Sequence, residues 1–369
     1  MNKRKPLLMG LSAMGVASAG IYQFVENVYQ GSRFLMPYIK KAEYININSN
    51  VRLEEDGYYS ITKTDDKPFR VLQITDLHIG GGYLSRHEDM QALSIMIRAI
   101  KSTSPDLIVL TGDLACPVAR LTLSRNNLHS YRMIAELLEN IGIPYAVVFG
   151  NHDTAKNSTH NRRELAQYLM TKEHCLMAET QDTEVLTGFS NYIIKLRDKS
   201  GKLNSVLFMF DSNEYMVKDR KRVYDYIHEE QVQWYERETR RINEQEGRQV
   251  LSFAYMHIPL EEYREAWNAV INAEKSAIYY YGSRDEKISC QGANGGLFDK
   301  ILELKSTKGI FCGHDHLNDF SVEYKGVRMT YGQSIDCLLY AKNLSEHKGA
   351  TLLKIHKNGD FEIKGKKHR

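Results

Sequence analysis

The chain has 369 residues, 42% of them hydrophobic and 26% charged, with 49 Lys and Arg against 46 Asp and Glu for a formal charge of +3. With 7 Pro and no low-complexity run, this balance excludes a disordered chain, and nothing in the spread of charge argues for nucleic acid as a partner. The 5 cysteines, Cys116, Cys175, Cys290, Cys312 and Cys337, show no CxxC spacing, so neither a disulfide framework nor a zinc knuckle is indicated and most are expected to be buried thiols.

In chain order, Lys3, Arg4 and Lys5 form a basic start, followed by an uncharged stretch from Pro6 to Val25 that Glu26 ends. This resembles an export signal, with Ala17, Ser18 and Ala19 suited to a signal peptidase, and its length also suits an uncleaved membrane anchor. The expected organisation is a signal peptide or membrane anchor over 1–28, a connector over 29–50 and one domain over 51–369. The body is then extracytoplasmic, either secreted or held at the membrane through its N-terminal segment.

Phe69 to Thr75 is rich in apolar and β-branched residues and predicts a strand; Met90, Leu93, Met96, Ile97 and Ile100 recur at helical spacing and predict the helix after it. The unit repeats with Asp106 to Thr111, a helix presenting Tyr131, Ile134, Leu137, Leu138 and Ile141, then Tyr145 to Phe149 and a helical stretch near Asn161 to Met170. Further strands are expected at Tyr192 to Leu196, Ser205 to Phe210, Leu251 to Met256 and Gly309 to Cys312, with an exposed, highly charged helix over Glu229 to Glu244. The basic run from Lys364 to Arg369 reads as a solvated tail. Strand and helix in succession place the chain in the α/β class.

Several of these strands run into a short polar cluster: Asp76 and His78 in TDLH, Asp113 in TGDL, Asn151, His152 and Asp153 in GNHD, His257 in MHIP, and His314 and His316 in GHDH. Ligands bind beyond the carboxyl ends of strands in open α/β sheets, so residues far apart in sequence can converge there. Carboxylate, amide and imidazole together suit divalent metals such as zinc, manganese or iron. Gly112, Gly150 and Gly313 precede three of the clusters and allow sharp turns. The i, i+2 pairs Asp76 with His78 and His314 with His316 would, in extended backbone, point to one side.

Taken in order, DLH, GDL, GNHD, MHIP and GHDH resemble the calcineurin-like metallophosphoesterase family from about Phe69 to Asn318. MHIPLEEY and GHDHLNDF resemble a purple-acid-phosphatase-like subgroup with plant and fungal members. The resemblance implies an α/β fold of two mixed β-sheets packed face to face with helices outside. It implies two divalent metal ions (Mn, Fe or Zn), one on Asp76, His78, Asp113 and His316, the other on Asp113, Asn151, His257 and His314, with Asp113 bridging. It implies His152 as the catalytic residue beside the substrate; because two nearby cations would oppose its protonation, Asp153 or the substrate phosphate is expected to help it keep its proton. The activity implied is hydrolysis of phosphoester bonds by a metal-bridging hydroxide. The alternatives are a catalytically silent metal-binding scaffold and a narrowly specific cell-envelope enzyme acting on lipid or nucleotide phosphates. Position 116 is Cys, where purple acid phosphatases carry a tyrosine ligand and phosphoprotein phosphatases an Asp, so neither the iron-tyrosinate pair nor the protein-phosphatase dyad is expected. Cys116 is either a soft ligand or a buried thiol. His160, Asn318 and Tyr331 are candidate substrate contacts, each with a structural alternative.

Overall fold

The computed structural model describes residues 49–156, 158–179, 186–340 and 348–367, so the expected leader and nearly all of the connector lie outside the described residues. In chain order the strands are β1 (Ser49–Leu53), β2 (Tyr59–Lys63), β3 (Phe69–Ile74), β4 (Leu107–Thr111), β5 (Tyr145–Val148), β6 (Tyr192–Arg197), β7 (Leu203–Met209), β8 (Tyr215–Lys218), β9 (Lys221–Tyr224), β10 (Leu251–Tyr255), β11 (Ala277–Tyr281), β12 (Thr307–Cys312), β13 (Ser321–Tyr324), β14 (Val327–Tyr331), β15 (Gly349–Ile355) and β16 (Phe361–Lys367). The helices are α1 (Arg86–Thr103), α2 (Ala119–Thr122), α3 (Asn127–Ile141), α4 (Arg162–Met170), α5 (Glu229–Glu246), α6 (Glu262–Ile271) and α7 (Leu297–Leu304).

One sheet has nine strands in the order β1-β2-β6-β7-β10-β12-β14-β13-β11, the other five in the order β16-β15-β3-β4-β5, and β8-β9 form a separate hairpin. Both large sheets are mixed: β3, β4 and β5 pair in parallel while β15 joins β3 antiparallel, and β10 pairs in parallel with β7 and β12 while β6 joins β7 antiparallel. The strands β4, β5 and β10 read as near-continuous apolar runs because both faces are covered. The two sheets share one core, and polar links cross it: Gln73 Nε2 on β3 donates to Cys312 O at 2.9 Å, and Tyr192 Oη on β6 donates to Val147 O at 2.9 Å. The expected pair of mixed sheets with helices is the architecture found.

Two local expectations need correction. The helix α5 is charged but not exposed all round: Val232, Trp234, Tyr235 and Ile242 are buried, with Trp234 edge-on to Phe208 at 5.8 Å between ring centres. Its charges mask an apolar stripe at helical spacing. The C-terminal basic run is not a tail as far as Lys367, because β16 pairs along its length with β15 from Gly349↔Lys367 to Ile355↔Phe361. All 5 cysteines are free and buried. Among the described residues no helix is long and apolar enough to cross a membrane.

Candidate metal centre

Because β3, β4 and β5 run in parallel, and β10 runs parallel to β12, their carboxyl ends deliver the polar clusters to one edge of the molecule. The turns there are tight. Asp76, His78, Asp113 and His314 hold positive φ values of 52°, 46°, 50° and 81°, in the left-handed region that non-glycine residues rarely enter. The convergence of Asp76 and His78 therefore comes from left-handed turns rather than from extended backbone. Gly112, at φ 87°, leaves space where a Cβ would meet Gly150 N and His257 Nδ1 at 2.7 Å.

Asp153 holds this turn. Its carboxylate, fully buried, accepts the backbone N–H groups of Asp113, Leu114, Ala115 and Gly150 at 3.1, 2.8, 2.9 and 2.7 Å. Burial and the nearby Asp113 carboxylate push Asp153 up to about 6, against the pull of those donors. With both oxygens so engaged, Asp153 is the scaffold of the Asp113 loop.

Asp76, His78, Asp113 and His316 each bring one ligand atom, and all of these atoms lie within 4.8 Å of one another; Asp113, His257 and His314 form a second such group. Asp113 is common to both. In the first group His78 Nε2 lies 3.1 Å from His316 Nε2 and 3.6 Å from Asp113 Oδ2. In the second, His257 Nε2 is 3.2 Å from Asp113 Oδ2, while its Nδ1 donates to Thr111 O at 2.8 Å. A carbonyl fixing one ring nitrogen leaves the other free to ligate. Asn151 Nδ2 donates to Tyr215 Oη at 3.2 Å, and its Oδ1, with His257 Nε2 and His314 Nδ1, is buried without a hydrogen-bond partner. Orphaned buried acceptors of this kind, beside two carboxylates, fit cations.

The electrostatics agree for His78 and His314. Burial holds His78 down to about 4 and His314 to about 3, so both stay neutral imidazoles at neutral pH. Burial works against a charged His257, but Asp113 outweighs it and lifts the ring to about 9. Asp113 itself is held well below the usual carboxylate range: burial opposes this, and His257, His152 and His78 overcome it.

His152 is only half-buried; its ring stands edge-on to His78 at 5.1 Å and its backbone N–H donates to Asp113 Oδ1 at 2.7 Å. Cys116 Sγ also lies within ligand distance of His78 and His152, although burial pushes its thiol far up, as expected of an inert buried cysteine. The remaining candidates have partners within the protein: Tyr331 Oη donates to Asp315 at 2.7 Å inside the core, buried Asn318 accepts from Glu286 N at 3.1 Å, and His160 Nδ1 meets Thr159 Oγ1 at 2.9 Å.

Three contributors escape the sequence reading. Asp336 Oδ2 lies 3.2 Å from His316 Nδ1 and orients that ring. Tyr215 touches Asn151, and Tyr224 stands edge-on to His314 with ring centres 4.4 Å apart. No motif marks any of them.

Comparison with known proteins agrees with this geometry. Residues 69–318, more than half of the chain, match the family model Calcineurin-like phosphoesterase. The chain belongs to that family. It is similar to a protein of Arabidopsis thaliana named probable inactive purple acid phosphatase 28, at 30% identity over 325 residues covering 81% of this chain and 78% of the relative. It is also similar to phosphatase DCR2 of Saccharomyces cerevisiae, at 27% identity over 284 residues covering 72% of this chain and 47% of that one. The purple-acid-phosphatase-like resemblance is borne out. Among solved structures, a dimetal phosphatase from Danio rerio superposes with a TM-score of 0.52 and 12% identity, covering 81% of this chain and 96% of that chain, which bears out the calcineurin-like fold. A centre for two metal ions is in keeping with this family.

Proposed function

We propose that this calcineurin-like protein is an active binuclear-metal phosphoesterase. The observation that carries the reading is the single carboxylate Asp113 shared by two groups of ligand atoms. Asp76, His78, Asp113 and His316 would hold one divalent cation, and Asp113, Asn151, His257 and His314 the other. Two such cations supply a polarised water and positive charge opposite the phosphoryl oxygens. The chain's own part is to fix the ligands: Asp153 locks the Asp113 turn, Thr111 O sets the tautomer of His257, and Asp336 aims His316. His152, at the half-buried rim beside His78, would donate a ring proton to the leaving oxygen.

The name of the Arabidopsis relative favours a second reading, a catalytically silent metal-binding scaffold. Both are tested by hydrolysis of an aryl phosphate and its diester, with metals stripped and then added back, beside an Asn151→Ala variant. Metal-dependent turnover lost in that variant supports the enzyme, and the monoester to diester ratio ranks the substrates. Stoichiometric metal binding with no turnover supports the scaffold. The basic start at Lys3 to Lys5 and the uncharged stretch after it support a body outside the cytoplasm; recovery of the protein from the cytosolic fraction would overturn that placement.

A further inference from the structure

The β8–β9 hairpin stands beside the proposed metal centre, and its two faces differ. Its register sets Tyr215 opposite Tyr224 and Val217 opposite Arg222, so these four side chains share one face while Met216, Lys218, Lys221 and Val223 share the other. The first face looks toward the site, because Tyr215 Oη accepts from Asn151 Nδ2 at 3.2 Å and Tyr224 meets the ring of His314. The other face is tied to the body of the protein, where Lys218 Nζ donates to Gly292 O at 2.9 Å.

Of the cations carried by the two strands, Arg222 alone stands on the site-facing side. Its guanidinium carbon lies 3.6 Å from the centre of the Tyr215 ring, and Tyr215 in turn stacks with Tyr224 at 5.2 Å. Arg222 is exposed, and among the described residues no carboxylate pairs with it. A guanidinium held over the face of an aromatic ring keeps N–H groups free, and its planar fork matches a phosphate dianion. The stack is itself anchored to Asn151 through the Tyr215 hydroxyl, so it ties the guanidinium to the side of the hairpin that meets the ligand cluster.

We propose that Arg222, presented by the Tyr215–Tyr224 stack, forms a second anion subsite, and that the substrate is a phosphoester whose organic part carries a second phosphate. The inference rests on the phosphoesterase reading of the adjacent centre. Lys221 projects from the opposite face of the hairpin and serves as the control for net charge.

The test is calorimetric titration of the full chain, metal-loaded and metal-stripped, with fructose 1,6-bisphosphate and with fructose 6-phosphate. The bisphosphate is expected to bind about tenfold more tightly than the monophosphate. Arg222→Gln should bring that ratio close to one, and Lys221→Gln should preserve it. Equal affinities in the unaltered chain, a preference that survives Arg222→Gln, or an equal collapse in Lys221→Gln would each overturn the subsite. If the preference is present and Arg222-dependent, yet neither compound nor an aryl phosphate is hydrolysed with any metal, the subsite stands and the phosphoesterase reading falls.

Discussion

Asp76, His78, Asp113 and His314 all occupy left-handed backbone, where a side chain costs about 1–2 kcal/mol per residue. Such strain persists only where the surroundings fix it, and here the Asp153 carboxylate, with its four backbone N–H donors, supplies part of that constraint. Asp153→Ala would strand those donors in the interior, and a loss of about 3 kcal/mol or more is expected in urea unfolding. Asp336→Asn is expected to weaken metal binding about 10- to 100-fold, read by competition with a chelating indicator, because His316 loses the carboxylate that orients it. The proposed ligands were legible in the sequence because each sits in a short polar cluster directly after an apolar run. Asp336 was not, since it does not directly follow a strand and lies among the buried neighbours Ile335 and Cys337; only the fold sets it beside a histidine 20 positions away. Asp153 was visible within GNHD, but its role depends on where the Asp113 turn passes.

At the level of elements, the runs that read clearly were those covered on both faces, such as β4 and β5, together with helices of regular apolar spacing, α1 and α3. The hairpin of β8 and β9 stayed hidden because its strands have 4 residues each and its turn carries Asp219 and Arg220, at φ 51° and 61°, in place of the usual Asn-Gly. The double change Asp219→Asn with Arg220→Gly should relieve that turn and stabilise the chain by about 1 kcal/mol in chemical denaturation. The edge strands β1 and β16 were missed for a different reason: their residues are largely exposed or only partly buried, so apolar alternation is weak. In α5 the density of charge concealed Trp234, whose replacement by Ala is expected to cost about 3–5 kcal/mol, measured the same way.

Across the whole molecule, the edge hairpin of β1 and β2 is fastened to β6 by charge. Lys195 Nζ meets Glu54 at 2.7 Å and Asp56 at 2.6 Å, and Arg197 Nε meets Glu54 at 2.7 Å. Burial opposes ionisation of Glu54, but Arg197 and Lys195 outweigh it and hold the carboxyl at about 2, against an ordinary value of 4.5. A group depressed in the folded state adds stability that is present above its unfolded pKa and lost as pH falls through the folded one. The chain should therefore lose stability between about pH 4.5 and 2 more steeply than a Glu54→Gln variant does. Melting of both across that window checks it, and parallel curves would show that Glu54 carries no such linkage.

The proposed metal centre draws on both sheets, and its outer ligands are far apart in the chain: His78 and His316 are separated by 238 positions. A nascent chain that has emerged only as far as β10 holds Asp76, His78 and Asp113 but has no His314 or His316 to complete either site. Metal capture is thus a late event, possible only when synthesis is nearly over and the two sheets have closed on each other. On the proposed export route, the cations the chain acquires would be those of the compartment in which it finishes folding, so its metal content would report that route as well as its affinities.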